Sequence, residues 1–280
     1  MNPFFQRFAR NKGAVVGLVI VGLVILVALF AGFVFPDSPW NAVGEPLLDP
    51  LTDATYPLGT DMLGRDVAAG LAHGARVSLL VGLVSTAVAT FIGISIGAVA
   101  GYYGGRIDDV LMRLTEFFQT IPTLAMAVVL VAIFQPSLTS IITAIAVVSW
   151  PPVARLVRGE FMSLRSREFV QAAVVIGQSA PRIIFTQILP NTMSPIIVTA
   201  SLMIATAILT ESALSFLGLG DRNLMSWGFM IGAARTMIRE AWWMSFLPGL
   251  AILLTVLAVN LIGEGLNDAL NPHLRNRGER

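Results

Sequence analysis

The stretch REFVQAAVVIGQSAPRIIFTQILPN, residues 167–191, brings charge, glycine and proline into a chain that is otherwise strongly apolar. Within it, apolar side chains recur with the spacing i, i+3, i+4 and i+7, at Phe169, Ala172, Ala173 and Ile176. This spacing predicts a short amphipathic helix, and its two alanines would allow another surface to approach closely.

The end of this helix and the start of the next are also marked. Gly177 is a natural stop, because glycine adopts the left-handed conformation at little cost. Ser179 and Pro181 suit the first turn of a second helix, and Pro190-Asn191 is expected to bend the chain. A helix hinged at both ends could fill a groove on a cytoplasmic partner or lie among lipid head groups. The residues leave these two alternatives open.

The composition indicates an integral membrane protein. The 280 residues are 55% hydrophobic and 12% charged, with a mean hydropathy of +0.78, whereas about a quarter of a soluble domain is charged. The net charge of +1 gives no reason to expect nucleic acid. The absence of cysteine excludes disulfides and thiolate chemistry, and two histidines argue against a histidine-built metal centre. No metal site and no catalytic site are predicted.

The chain also has no lysine that could belong to a nucleotide-binding P-loop. That loop requires Gly-Lys followed by Ser or Thr, whereas the only lysine, Lys12, is followed by Gly13. The sequence therefore predicts that the chain is not an ATPase and holds no cofactor of its own.

Charge-free runs give the number of membrane spans. There are five such runs: 13–36, 77–105, 117–154, 183–210 and 241–263. As one helix, the third run would be about twice as long as the hydrocarbon layer is thick, so Gln135-Pro136-Ser137 is expected to divide it. We therefore predict six spans, the first being a retained anchor because its apolar stretch is too long for a signal peptide. With both termini placed in the cytoplasm, most of the 18 cations lie on the cytoplasmic side.

Two features of the spans concern packing. Gly93, Gly97 and Gly101 recur at four-residue spacing, which favours close contact with another helix. Ser149-Trp150-Pro151-Pro152 predicts a kink or unwinding in the fourth span, since two prolines remove helix hydrogen bonds. Glu211, near the outer end of the fifth span, is either a functional membrane acid or a solvated helix terminus.

Five stretches in order resemble one protein family. The loop pattern Gln171-Ala172-Ala173, Gly177 and Leu189-Pro190-Asn191 resembles the EAA loop of permease subunits of ABC importers. The other four resemble the second, C-type permeases of the dipeptide, oligopeptide and nickel branch: PLGTDMLGRDV (57–67), GARVSLLVG (74–82), ESALSFLGLG (211–220, followed by Ser226-Trp227-Gly228) and LNPHLR (270–275).

The resemblance implies an all-α, six-helix transmembrane domain of the type I importer fold. Residues 1–73 would hold the tail, first span and outer loop, 74–270 the permease core and 271–280 a cytoplasmic tail. The first helix would wrap a partner, a related permease that forms the other half of a heterodimer. The location implied is the bacterial inner membrane, and the solutes implied are peptides, nickel chelates, opines or similar small molecules.

The resemblance also implies how the chain is coupled to ATP. Two cytoplasmic ATPase subunits, which bind ATP and Mg, would dock on the loop through Glu168, Gln171, Ala172, Ala173, Gly177, Leu189, Pro190 and Asn191. A substrate-binding protein would meet the outer face, where the candidates are Asp61, Arg65, Asp66 and Trp227. Candidates for the pathway or its gate are Trp150, Pro151, Glu211 and Ser215. Trp242 and Trp243 are interpreted as membrane-interface residues.

Three positions depart from the family pattern. Gln171 stands where the motif has glutamate, which removes a charge that could pair with a basic groove. Gln187 and Asn271 replace a usual histidine or isoleucine and a common aspartate. Two other classes remain as alternatives: a secondary carrier or channel, which should show paired membrane charges or an internal repeat, and a membrane enzyme, which needs a catalytic constellation. Inspection finds none of these features.

Overall fold

The computed structural model describes residues 3–270, and within them the regular secondary structure is all helical apart from one isolated bridge between Thr60 and Asp66. The helices are α1 Pro3–Arg10, α2 Lys12–Val34, α3 Val67–Tyr103, α4 Gly105–Thr120, α5 Thr123–Phe134, α6 Leu138–Arg165, α7 Glu168–Val175, α8 Ala180–Ile183, α9 Leu189–Leu214, α10 Trp227–Ala234 and α11 Trp243–Leu270. The predicted tail 271–280, with Asn271 and most of the LNPHLR stretch, lies outside the described residues.

Five continuous helical segments of this part are long and apolar enough to cross a membrane: α2, α3, α6, the run Ala180–Leu219 that contains α9, and α11. The remaining predicted span, the third along the chain, is present only as two helices, α4 and α5, which meet at 88°. Its α5 limb has 12 residues, or about 18 Å, well short of the hydrocarbon thickness. The described chain thus has five full spans and one broken one.

The break at Ile121-Pro122 corrects the expectation that the run 117–154 contains only two helices, divided at residues 135–137. Proline disfavours a helical conformation in the residue before it, and Ile121 is extended, with φ −92° and ψ 129°. The predicted break at residues 135–137 is confirmed. Gln135 has a positive φ of 66°, and the Ser137 hydroxyl accepts a hydrogen bond from the Ser140 amide at the start of α6.

Helices α3 and α6 pack through the predicted glycine row. A Cβ atom at Gly93 would lie 2.5 Å from the Cβ of Val153, and one at Gly101 would lie 2.6 Å from the Cβ of Phe161. At Gly97 the nearest atoms would be the Ala154 carbonyl oxygen and, at 2.8 Å, the Cβ of Val157. The row lets the two backbones approach to a separation that no other residue type permits.

Helix α6 stays continuous through Pro151 and Pro152, so of the two predicted alternatives the unwinding is wrong, whereas the kink stays a prediction. Pro151 and Trp150 are buried, and Trp150 packs edge-on against Phe118 at a centroid distance of 5.4 Å. Contacts with α3 and α4 on this side hold the helix where it lacks its own hydrogen bonds.

An ion pair joins helix α4 to helix α6. The guanidinium of Arg158 donates two hydrogen bonds to Asp108, with Nε–Oδ1 at 2.5 Å and Nη2–Oδ2 at 2.6 Å. Asp108 is largely buried, and Arg155 adds a 2.8 Å bond to the side chain of Gln119. A bidentate pair of this kind fixes orientation as well as distance.

Replacing Asp108 by asparagine is expected to loosen α4, because Arg158 would lose a charged partner that also satisfies two of its donors. A double-mutant cycle of Asp108→Asn with Arg158→Gln should give a coupling energy of about 1 to 2 kcal/mol in the unfolding of the purified chain. Asp109→Asn is the matched control, since Asp109 is adjacent and exposed. A coupling energy near zero would show that the pair does not hold α4.

Helix α2 packs on α3 and α11 through its small residues. Ala14, Gly17, Ala28 and Ala31 are buried, while most of its large side chains are exposed. The Arg76 guanidinium of α3 donates to the carbonyl oxygens of Ala28 and Leu29. The prediction that this helix wraps a partner remains a prediction.

Candidate functional site

Helix α7 forms where the sequence predicts it. It begins after the extended Arg167 and ends in a Schellman motif, with Gly177 at φ 82°. The amide of Gly177 donates to the Val174 carbonyl at 3.0 Å, and that of Gln178 to the Ala173 carbonyl at 3.1 Å. The loop is thus a defined helix with a fixed end.

The packed face of α7 differs from the predicted one. Val170 and Ala173 are buried against α6 and the start of the α9 run, in a cluster with Phe161 and Ile188. Of the predicted face only Ala173 is inside, whereas Phe169 is 43% exposed, Ile176 is 74% exposed and Ala172 is also exposed. The chain itself therefore covers one side of α7 and leaves an apolar side open, to which Val175 also contributes.

Gln171 donates a side-chain hydrogen bond that an ionised glutamate at the same position could not donate. Its Nε2 donates to the carbonyl oxygen of Arg165, at the end of α6, at 2.9 Å. An ionised carboxylate has no donor. Glutamine at this position therefore removes a charge and adds a hydrogen bond to the preceding helix. Glu168 is exposed in the first turn of α7.

The expected bend at Pro190-Asn191 is wrong, because the helix runs on through it. Residues Ile184–Ile188 form a π-helical turn, in which the Leu189 amide donates to the carbonyl of Ile184. This wider turn accommodates the proline that follows, at the start of α9. The side chain of Asn191 donates to the Gln187 carbonyl at 2.6 Å. Pro190 and Asn191 are exposed and Leu189 is half-buried.

At the other end of the helices, residues 35–66 fold into what we call the cap, with Thr60 at its centre. Thr60 is fully buried, donates to the Glu45 carbonyl at 2.5 Å and accepts from the Leu48 amide at 2.9 Å. Gly59 and Gly64 have φ values of 77° and 73°, and added Cβ atoms there would strike backbone. These contacts explain the glycines of the PLGTDMLGRDV stretch.

Three of the residues predicted to face a binding protein lie in this cap. Asp61 accepts hydrogen bonds from the amides of Leu63 and Arg65 at 2.8 and 2.9 Å, and Arg65 stacks over Trp40 at 4.8 Å. Asp66 caps α3 by accepting from the Ala68 amide at 2.8 Å. Partial burial raises the pKa of the Asp66 carboxyl above its usual value, against the opposing effect of the backbone hydrogen bonds. All three are partly exposed.

Two predicted surface tryptophans are buried instead. Trp227 is 2% exposed, and its indole donates to the Leu71 carbonyl at 3.0 Å. Trp243 is 1% exposed and donates to the Thr60 carbonyl at 3.1 Å, so its interpretation as an interface residue is wrong. Trp242 is 53% exposed, as expected of an interface residue. A buried indole requires an acceptor, and here each finds one in a segment far away in the sequence.

Glu211 is buried and surrounded by serines, so it is not a solvated helix terminus. One oxygen, Oε1, accepts from the hydroxyls of Ser215 and Ser226, both at 2.7 Å. The other, Oε2, lies 3.5 Å from the hydroxyls of Ser78 and Ser212. The Ser226 hydroxyl also caps α10 by accepting from the Phe229 amide. We call this set the serine cage.

The cage joins the end of α9, α3 and α10 around one carboxylate that is 1% exposed. In residues 3–270 no Lys or Arg forms an ion pair with Glu211. All four pathway candidates are buried in the described chain: Trp150, Pro151, Glu211 and Ser215. Ser215 also lines a cavity at the end of the α9 run, and the pathway role of the four stays a prediction. The sequence reasoning missed Ser78 and Ser226, although both belong to quoted stretches.

Comparison with known proteins gives the family. Residues 93–276 match the model of the binding-protein-dependent transport system inner membrane component, and residues 3–50 match that of the N-terminal transmembrane domain of oligopeptide transport permease C. The chain belongs to this permease family. It is therefore a membrane component of a bacterial ABC importer, which works with a binding protein, an ATPase and a further permease.

Relatives of the permease span nearly its whole length. It is 44% identical to the di/tripeptide transport permease DppC of Pseudomonas aeruginosa, over 99% of this chain and 93% of the relative. It is 42% identical to the dipeptide permease DppC of Escherichia coli, over 98% and 94%, and 38% identical to the oligopeptide permease OppC of Haemophilus influenzae, over 95% and 86%.

A chain of the solved MetNI methionine ABC transporter has the same fold as the permease. The TM-score is 0.61 at 15% identity, with 72% of this chain and 96% of that one covered.

Proposed function

We propose that this permease forms half of the translocation pathway for di- and tripeptides or similar small solutes. A substrate-binding protein delivers them at the cap, and two separate ATPases, which hold ATP and Mg, bind the exposed apolar side of α7 in the loop 167–191. The other half of the pathway is a related permease, and both termini lie on the side of α7, in the cytoplasm. The names of the relatives support the solute class, and the lack of a P-loop lysine supports separate ATPases.

The observation that carries the proposal is the two-sided character of α7. Val170 and Ala173 anchor the helix to its own chain, while Phe169, Val175 and Ile176 present 43 to 86% of their surface to the outside. An exposed apolar face on a short, capped helix is typical of a surface that inserts into a partner's groove.

The same packing would allow a movement of α7 to be passed on to α6 and α9. A push on α7 acts on Val170 and Ala173, and these contact α6 and the π turn before α9. Helix α9 ends at the serine cage, next to α10. ATP binding by the partner subunits would thus move α7 and, through α6 and α9, change which side of the membrane the pathway faces.

Replacing Ala172 by aspartate is expected to reduce recovery of the ATPases at least about tenfold, because the change puts a charge into an apolar contact. Ala172 is exposed in the described chain, so the permease itself should fold and still pair with its partner. The measurement is co-purification in detergent of the permease pair with candidate ATPase subunits.

Ser179→Asp is the matched control. It adds the same charge to the same loop at the residue before α8, where aspartate caps a helix as well as serine does. Retention of the ATPases by the Ala172 variant, or their absence from the wild-type preparation, would overturn the docking assignment. The apolar side of α7 would then be assigned to lipid.

A further inference from the structure

A cavity of about 430 Å³ opens beside the last turn of the α9 run. It is lined by residues 215–218 on one side, by Gly232 of α10 on another, and by Arg222 and Arg235. Ligand pockets commonly have volumes of about 300 to 1,000 Å³, which covers small peptides. We call it the arginine cavity.

The backbone beside this cavity is irregular and exposed. Ser215–Leu219 is a second π-helical turn, and Gly218 within it has φ 85°. Phe216, Leu217 and Gly218 are exposed at the end of the helical run Ala180–Leu219, beyond residue 210 where its charge-free stretch ends. The cavity-lining Arg222 and Arg235 are exposed too, and guanidinium groups require water. The arginine cavity therefore lies at the aqueous, cap-side end of this run.

Its charge is not compensated by the chain. Arg222 and Arg235 are exposed and, among residues 3–270, neither forms a hydrogen bond or an ion pair. Among the residues that the structure describes, no acidic side chain lines the cavity. Asp221, the neighbouring acid, already accepts from the amides of Leu138 and Asn223 at 3.0 and 2.9 Å. Both Glu211 and the Ser215 hydroxyl are engaged in the serine cage.

We propose that Arg222 and Arg235 bind the carboxylate of a peptide as it enters the pathway from the cap side. A guanidinium matches a carboxylate with two parallel N–H donors, and two guanidiniums in a cavity with no acid among its described lining residues select for negative charge. The inference rests on the proposed function, because it assigns a subsite to the solute of that importer. It makes the permease itself a contributor to selectivity.

The test is uptake of alanyl-alanine by the complete importer reconstituted in vesicles, with its binding protein saturated by the dipeptide. The variant Arg222→Gln/Arg235→Gln should reduce the uptake rate about tenfold, as expected for the loss of charge-assisted hydrogen bonds. Stimulation of ATP hydrolysis by the loaded binding protein should change less than about twofold, because docking and coupling lie elsewhere. Replacing both arginines by lysine should restore part of the rate.

Arg239→Gln is the matched control, since Arg239 is exposed in the same segment but does not line the cavity. Unchanged uptake by the double glutamine variant would overturn the proposal. A parallel loss of uptake and of ATPase stimulation would also overturn it, by assigning the arginines to the docking of the binding protein. A wild-type complex that is stimulated but transports no dipeptide would refute the peptide assignment in the proposed function as well as this subsite.

Discussion

Replacing Gly97 by leucine is expected to prevent the permease from accumulating as a folded protein. The first added carbon already meets the Ala154 carbonyl oxygen and the Cβ of Val157, and neither belongs to a flexible side-chain end. Overpacking of a core costs about 1 to 3 kcal/mol, and contact with backbone places this variant at or above the upper figure. The measurement is the yield of monodisperse protein after extraction in mild detergent.

Gly22→Leu serves as the control for this experiment. Gly22 lies in α2, and a Cβ added there would meet no atom of residues 3–270 within 4 Å. The two variants make the same chemical change in a membrane helix, so a difference in yield reports the contact between α3 and α6. Equal yields would mean that these helices can separate without penalty.

Replacing Glu211 by alanine is expected to destabilise the permease by about 3 to 5 kcal/mol. The change leaves the hydroxyls of Ser215, Ser226 and Ser78 without their acceptor in a buried site and adds a cavity. The readout is the temperature at which the purified complex aggregates, together with protease cleavage between α9 and α10.

Glu211→Gln removes the negative charge of the carboxylate and keeps the shape of the side chain. The amide keeps one carbonyl acceptor, and serine hydroxyls can accept from its N–H groups, so the cost should be about 1 kcal/mol. Cleavage near α10 should increase in the alanine variant and much less in the glutamine variant. If both variants were as stable as the wild type, the serine cage would not be what holds α10.

Local sequence signals were enough to predict α7 but not which of its sides is covered. The spacing of apolar residues and Gly177 determine a short helix and its end. Whether Ala172 or Val170 faces inward depends on α6 and on the π turn before α9, which pack from outside the helix. A periodicity shows that a helix has an apolar side, whereas neighbours decide which surface is buried.

The backbone conformation around two prolines explains two wrong predictions, one about the third span and one about the bend at Pro190. Proline carries no charge, so a count of charge-free runs gives no sign of Pro122. The third span was therefore expected to be one helix, whereas the chain turns by 88° there. Conversely, Pro190 was expected to bend the chain, but the π turn before it accommodates the ring. Proline constrains its neighbours, and the surrounding turn determines whether a break follows.

Trp227, Trp243 and Glu211 were assigned wrongly or left open for a common reason. A tryptophan or a glutamate near the end of a span has the same local sequence whether it meets water or the interior. Their partners are the Leu71 carbonyl, the Thr60 carbonyl and serines of α3 and α10, all distant in the sequence. Such long-range contacts are not encoded in a local pattern.

The glycine row also limits how the permease can change shape. Sliding α6 along α3 would drive Val153, Val157 and Phe161 over the backbone ridges between Gly93, Gly97 and Gly101. Packed interfaces of this kind switch between discrete arrangements and do not shear gradually. We therefore expect α3 and α6 to move together as one body, and the hinges of the transport cycle to lie at other helix contacts, such as those of α9 and α11.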